Sequence, residues 1–193
     1  MKHALHQYML FVTIITVSFL GGVLSPHAAS ATTYYVAKTG SDANSCTAAQ
    51  NASTPKLTLS GTAGGVTCLQ GGGDTLIVKV GTYTDGIDPA LVTVPSGTSW
   101  ANAVMIKANP GDVVTITGAG FLSGQYIIVD GFVIDGSSLA IGDIVYMCCG
   151  ANHIRVQNGE VKNSSENGVL GAQGSTYNEF INLDVHHNGR DQT

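Results

Sequence analysis

One strand pattern is written twice in the last third of this chain, and a looser copy precedes it. The stretch from His153 to Asn163 recurs at Asn178 to His187, with Val156 on Phe180, Asn158 on Asn182, Glu160 on Asp184, Val161 on Val185 and Lys162 on His186. Tyr126 to Gly136 is the earlier copy, with Val129 under Val156 and Ile134 under Val161. The steps are 27 residues and then 24. A short period of this kind belongs to a chain that stacks one unit on the next, because no single unit can bury its apolar face alone.

The spacing within each copy narrows the choice of stack. Short strands broken by Gly, Asn and Asp leave no room for crossover helices, which excludes a doubly wound α/β sheet. A sandwich needs long strands joined by hairpin turns, whereas here the same phase returns coil after coil. The pattern predicts an all-β, right-handed parallel β-helix, with inward Val, Ile, Leu and Phe forming a continuous core. Asn158 and Asn182 mark one corner of the coil. Asparagine tolerates a left-handed backbone, and amides at the same corner of successive coils can bond up the stack. Gly131 meets the same demand one coil earlier by lacking a Cβ.

Upstream, Thr33–Ala37 reads as an opening strand, and Asp74–Val80 as a second, closed by Gly81-Thr82-Tyr83. Val104–Ala108 and Val113–Thr117 follow, separated by the turn Asn109-Pro110-Gly111-Asp112. A capping helix would fall at Leu57–Cys68, but Gly61, Gly64 and Gly65 weaken it. Asp85, Asp88 and Asp112 lie beside Gly or Pro and read as turn residues. Residues 1–31 carry Lys2, an apolar run from Met9 to Leu24 and the small-x-small site Ala29-Ser30-Ala31. That is a secretory signal peptide, too short and wrongly flanked for a membrane span. The expected organisation is a signal peptide over 1–31, a cap region over 32–73 and a β-helix over 74–193 in an extracellular mature protein. Because the sequence stops just after a coil strand, the helix is expected to be truncated at its C-terminal end.

Beyond the signal there are seven Lys and Arg (eight less Lys2) against thirteen Asp and Glu, hence a net charge of −6. With no basic cluster, nucleic acid and anionic membrane surfaces are excluded as partners, and a monomer is expected. Cys46 and Cys68 flank a stretch with little core of its own, and export permits a disulfide between them. Cys148 and Cys149 are expected to be two thiols, because a ring closed between neighbouring residues is strained.

Four phrases carry a family resemblance: Tyr34–Asp42, Gly73–Tyr83, Asn152–Val156 and Val185–Gly189. Together they resemble the opening of secreted right-handed parallel β-helix proteins of the pectate-lyase-like superfamily. The resemblance implies a carbohydrate-active protein. A polysaccharide lyase cleaving uronate-containing polysaccharide is the first expectation. A glycoside hydrolase, a uronan epimerase or a non-catalytic matrix protein that binds saccharide are the alternatives on the same fold. The implied partner is an acidic polysaccharide.

Phase within the repeat supplies the candidate site. If Val161 and Val185 face inward, Glu160, Lys162, Asp184 and His186 face out, and Asp135 joins them from the coil before. Strands of adjacent coils lie about 4.8 Å apart, close enough for these side chains to form one patch. For such a patch the resemblance implies β-elimination, with Lys162 or His186 as the base and Arg190 on a substrate carboxylate. Asp135, Glu160 and Asp184 would be oxygen ligands for Ca²⁺. Opposed to this is an ordinary set of cross-strand ion pairs, in which carboxylates would make Lys162 hold its proton more tightly. His186 and His187 cannot chelate one ion unless a turn separates them, and His153 is expected to satisfy a hydrogen bond at a coil corner.

Overall fold

The computed structural model describes residues 31–87, 93–118, 120–139 and 142–190, so residues 1–30 of the expected signal peptide and Asp88 lie outside the described residues. Among the described residues twelve strands follow in chain order: β1 (Thr33–Val36), β2 (Thr75–Val78), β3 (Gly81–Tyr83), β4 (Val104–Ala108), β5 (Val114–Ile116), β6 (Gly120–Leu122), β7 (Gln125–Asp130), β8 (Phe132–Asp135), β9 (Val145–Met147), β10 (Asn152–Lys162), β11 (Val169–Gly171) and β12 (Glu179–His186). Every pairing between them is parallel. One ladder runs β1-β2-β4-β7 into the first half of β10, a second runs β3-β5-β8 into its second half, and β12 covers both halves. The third sheet is β6-β9-β11. The result is the expected parallel β-helix.

The repeat register holds residue for residue. Val129, Val156 and Phe180 lie on one another, as do Ile134, Val161 and Val185. These inward columns continue down through Ile106 and Leu76 on one face and Ile116 and Tyr83 on the other. Burial tracks the number of covered sides: Val156 is 3% exposed and Val161 1%, but Phe180 and Val185 on β12 are 47% and 49% exposed.

Corners recur at the same steps. Asn158 and Asn182 both adopt φ near +50°, and Gly131 has φ +84° at the equivalent place. Asn182 Nδ2 donates to Asn158 Oδ1 at 3.0 Å, and Asn158 Nδ2 to Asp130 Oδ1 at 2.9 Å, so the expected ladder forms. A second corner places Tyr126, His153 and Tyr177 in the same left-handed region. That conformation costs a side chain with a Cβ about 1–2 kcal/mol. The strands keep register although the steps are 27 and 24, because the three extra residues (27 less 24) fall in the turn between Asp135 and Val145.

At the N-terminal end no α-helix forms at Leu57–Cys68; a short 3₁₀ turn, Gly65–Cys68, takes its place. The segment is held by Asp42, whose carboxylate accepts from the Leu57 and Thr58 amides and the Thr58 hydroxyl. It is also stapled by the expected Cys46–Cys68 disulfide. Closing a loop of this length contributes about 3 kcal/mol. The other pair departs from expectation: Cys148 and Cys149 are bonded to each other. Cys149 lies at a coil corner with φ +61°, followed by Gly150 at +80°. There the main chain turns between neighbouring residues and brings the two sulfurs together, so a disulfide replaces the two thiols expected from ring strain.

Tyr83 closes the bottom of its column. It is fully buried, its hydroxyl donates to the Lys79 carbonyl at 2.9 Å, and the Lys38 ammonium lies 5.0 Å from its ring centre. Burial, reinforced by the charges of Asp85 and Asp112, pushes its hydroxyl up from 10.0 to about 12. A phenol with a raised folded pKa contributes its stability below the unfolded value and loses it as pH climbs through the folded one. Thermal stability is therefore expected to fall between pH 10 and about 12. Replacing Tyr83 by phenylalanine should remove that part of the fall, and tyrosinate absorbance should show one phenol ionising late.

Candidate functional site

Second-half strands of three successive coils carry the polar patch outward. Inward Ile134, Val161 and Val185 alternate with outward Asp135, Lys162 and His186, and Lys162 pairs in register with both Asp135 and His186. Glu160 lies on Asp184 in the neighbouring column. The alternation of a half-buried strand thus brings five ionisable side chains to one face.

Their contacts are unequal. Glu160 Oε1 accepts from Lys162 Nζ at 2.8 Å and lies 2.9 Å from His186 Nε2. His186 Nε2 is 3.9 Å from Asp184 Oδ2, and Asp184 is otherwise open to solvent. Asp135 Oδ1 accepts from the Ser137 amide at 2.9 Å and from Asn163 Nδ2 at 3.0 Å, so it is committed to the turn that follows it. Arg190 reaches back to main-chain carbonyls: its Nε donates to Asn163 O, and a terminal nitrogen donates to Gly136 O and Leu139 O. It ties the last corner to the two coils below. His187 follows β12 at φ +54°, which supplies the separating turn; the two rings stand 82° apart and their Nδ1 atoms are in contact. Beside them an open groove is lined by Glu166, Asn167, Val169, Val185, His186 and His187.

The charges lock one another. The Lys162 hydrogen bond, then that of His186, holds the Glu160 carboxyl below its ordinary 4.5. Glu160 in turn raises the Lys162 ammonium above 10.5. Burial pulls Asp135 upward, but hydrogen bonds from Asn163 and Ser137 and the charge of Lys162 outweigh it and hold its carboxyl below 3.8. For Glu160 the stabilisation is present above 4.5 and fades as pH falls through its lowered value; for Lys162 it is present below 10.5 and fades as pH rises through its raised one. Lys162→Met is therefore expected to cost a small, constant amount of stability from about pH 5 to pH 10, vanishing in acid, as measured by thermal melts across pH.

Among the described residues no group of three or more His, Cys, Asp and Glu is placed to hold a metal ion. Glu160 and Asp184 are neighbours, but Asp135 is spent on its turn, so the oxygen donors do not converge on one point.

One arrangement escaped the sequence reading. Tyr126 and His153, the second residues of β7 and β10, and Tyr177, just before β12, stack at one corner, with ring centres 4.5 and 5.3 Å apart and planes about 21° and 22° from parallel. His153 makes the expected corner hydrogen bond, 2.8 Å to Asn152 Oδ1, but its ring is also the middle of this stack. Trp100 packs edge-on at 5.6 Å from Tyr126, and the Arg155 guanidinium lies 4.1 Å above the Trp100 ring while pairing with Glu179 at 2.7 Å. The signal was present: the three residues stand at the same steps of 27 and 24, at the head of the aligned stretches.

No family model matches this sequence, and no curated protein matches it. The solved structure of a rhamnogalacturonan lyase is similar with a TM-score of 0.52 and 15% identity, over 80% of this chain and 51% of that one. The chain thus spans about half the length of that structure. Identity at this level carries the fold alone, a parallel β-helix.

Proposed function

We propose that the chain is an exported polysaccharide lyase that cleaves a uronate-containing polymer by β-elimination at the Glu160–Lys162–His186 patch. The observation that carries this reading is the histidine held by a carboxylate that also binds a lysine, on one outward face of successive coils. Glu160 accepting from His186 Nε2–H leaves Nδ1 as the basic nitrogen, a tautomer set by that hydrogen bond. His186 then takes the C5 proton, the C5 electron pair forms the C4=C5 double bond, the C4–O bond breaks, and the departing oxygen is protonated by water. Lys162 stays charged because Glu160 holds its proton on, so its role is to neutralise the uronate carboxylate as charge builds there. Arg190, engaged with three carbonyls, fastens the corner and is left out of the step.

Calcium would find Glu160 and Asp184 as donors, far short of the roughly six to eight oxygens it takes. The elimination is accordingly written with lysine as the neutralising charge. Hydrolysis needs one carboxyl kept protonated, and Glu160 and Asp135 are both shifted the opposite way. That favours elimination over a glycosidase.

The neighbour's name makes rhamnogalacturonan the first polymer to try, followed by polygalacturonate and alginate. The purified protein should generate the ultraviolet absorbance of an unsaturated uronate, and EDTA should leave the rate unchanged. New reducing ends without that absorbance would replace elimination by hydrolysis. Loss of activity in EDTA, restored by Ca²⁺, would return the metal to the step.

A further inference from the structure

The two disulfides differ in kind. Cys46–Cys68 closes a long loop, whereas a bond between neighbouring residues closes none, so Cys148–Cys149 removes almost no freedom from the unfolded chain. Nor does the local backbone depend on it. The Ala151 amide donates to Cys148 O at 2.9 Å, across a turn whose central residues, Cys149 and Gly150, have φ +61° and +80°. One coil later the Ser175 amide donates to Ala172 O at 3.1 Å, and Gln173 and Gly174 stand at +50° and +79°. Met147 pairs with Gly171, so the two turns follow in register on neighbouring coils. The same turn thus forms with no sulfur in it. The bond can open without undoing the corner.

Access separates the pairs as well. Cys68 is fully buried, while Cys149 and Gly150 are exposed. That exposure is lateral, because the corner has a coil on either side. The Cys148 amide donates to Leu122 O in the coil below, and the Gly150 amide to Gln173 O in the coil above. Gln173 Oε1 lies 3.6 Å from Cys149 Sγ, so the thiol formed on reduction has an acceptor in place. We propose that Cys148–Cys149 is a reversible thiol-exchange site, opened by small dithiols that approach from the flank of the helix. A thiolate attacks the exposed Cys149 sulfur, the S–S electron pair leaves on Cys148, and Cys148 takes a proton from water. The reductant's second thiolate then attacks its own bound sulfur, Cys149 leaves and is protonated in turn, and the reductant ends as a cyclic disulfide. Two electrons and two protons pass from dithiol to protein. The site does not depend on the lyase reading.

Native protein treated with dithiothreitol, alkylated with iodoacetamide and digested for mass spectrometry should carry label on Cys148 and Cys149, with Cys46 and Cys68 still joined. The reduced protein should melt within about 2 °C of the parent, and the bond should re-form when the reductant is removed. At a fixed ratio of reduced to oxidised dithiothreitol, Gln173→Leu should lower the ratio of open to closed pair by about threefold, through loss of the thiol's acceptor. An unaltered ratio overturns the part given to Gln173. The proposal as a whole is overturned if label enters only after denaturation, or if Cys46–Cys68 opens at the same dithiol concentration. It is equally overturned if reduction of the pair alone melts the protein far lower, or if protein kept in air carries two free thiols at this corner. Failure of the lyase assay leaves these outcomes untouched.

Discussion

Gly159→Ala is expected to lower the melting temperature by about 6–12 °C, a loss of about 3 kcal/mol for a chain of this size. A Cβ at Gly159 would stand 2.4 Å from the main-chain oxygen of Phe132 in the coil below. Nothing flexible is available to yield, because Phe132 is buried and its strand β8 is paired on both sides, to β5 and β10. The only relief is to spread two coils, which weakens the bonds of the β8–β10 ladder together with the core columns behind them. An exposed control makes the comparison: Val113 is 68% exposed, and Val113→Ala should move the transition by less than about 0.5 kcal/mol. Equal melts for the two variants would show that the coil spacing is softer than this contact requires.

The second large effect concerns activity. His186→Ala should reduce the elimination rate at least about 100-fold, the usual contribution of a positioned base, and act on kcat rather than KM. Lys162→Met should also lose rate, because the charge it meets grows as the C5 proton leaves; Lys162→Arg should restore part of it. Neither variant should melt more than slightly lower, since exposed, solvent-screened ion pairs of this kind add little to stability. A His186→Ala protein that retains full rate would remove the histidine from the mechanism and leave Glu160 and Lys162 as a plain cross-strand pair.

Much of this architecture was legible in the residues because a β-strand has a period of two and the coil adds a second period on top. Aligning Val156 on Phe180 and Val161 on Val185 left no freedom for Glu160, Lys162, Asp184 or His186, which had to face out. The asparagine corner was readable for a similar reason: only a few residue types accept a left-handed backbone readily, and Asn158 and Asn182 stood in step. The aromatic corner was not read, because tyrosine and histidine are poor markers of that conformation and their stacking depends on three coils being assembled. Cys148–Cys149 was read as two thiols because a ring between neighbouring residues is strained, whereas the turn at Cys149 and Gly150 brings the two sulfurs together. Which carboxylates were free was also beyond the sequence. Asp135 looked like Glu160 in the repeat, and only the turn it caps separates them.

The three additional residues between Asp135 and Val145 bear on how such a protein can diversify. They alter the length of one coil without shifting a single rung, because the strands on either side keep their partners. That turn starts at Asp135, beside the Lys162–His186 face, and Leu139 within it is already fastened to Arg190. Inserting or deleting residues there would reshape the loop bordering the Lys162–His186 face while the scaffold stayed constant. Substrate preference could then drift through loop length alone, at almost no expense in folding.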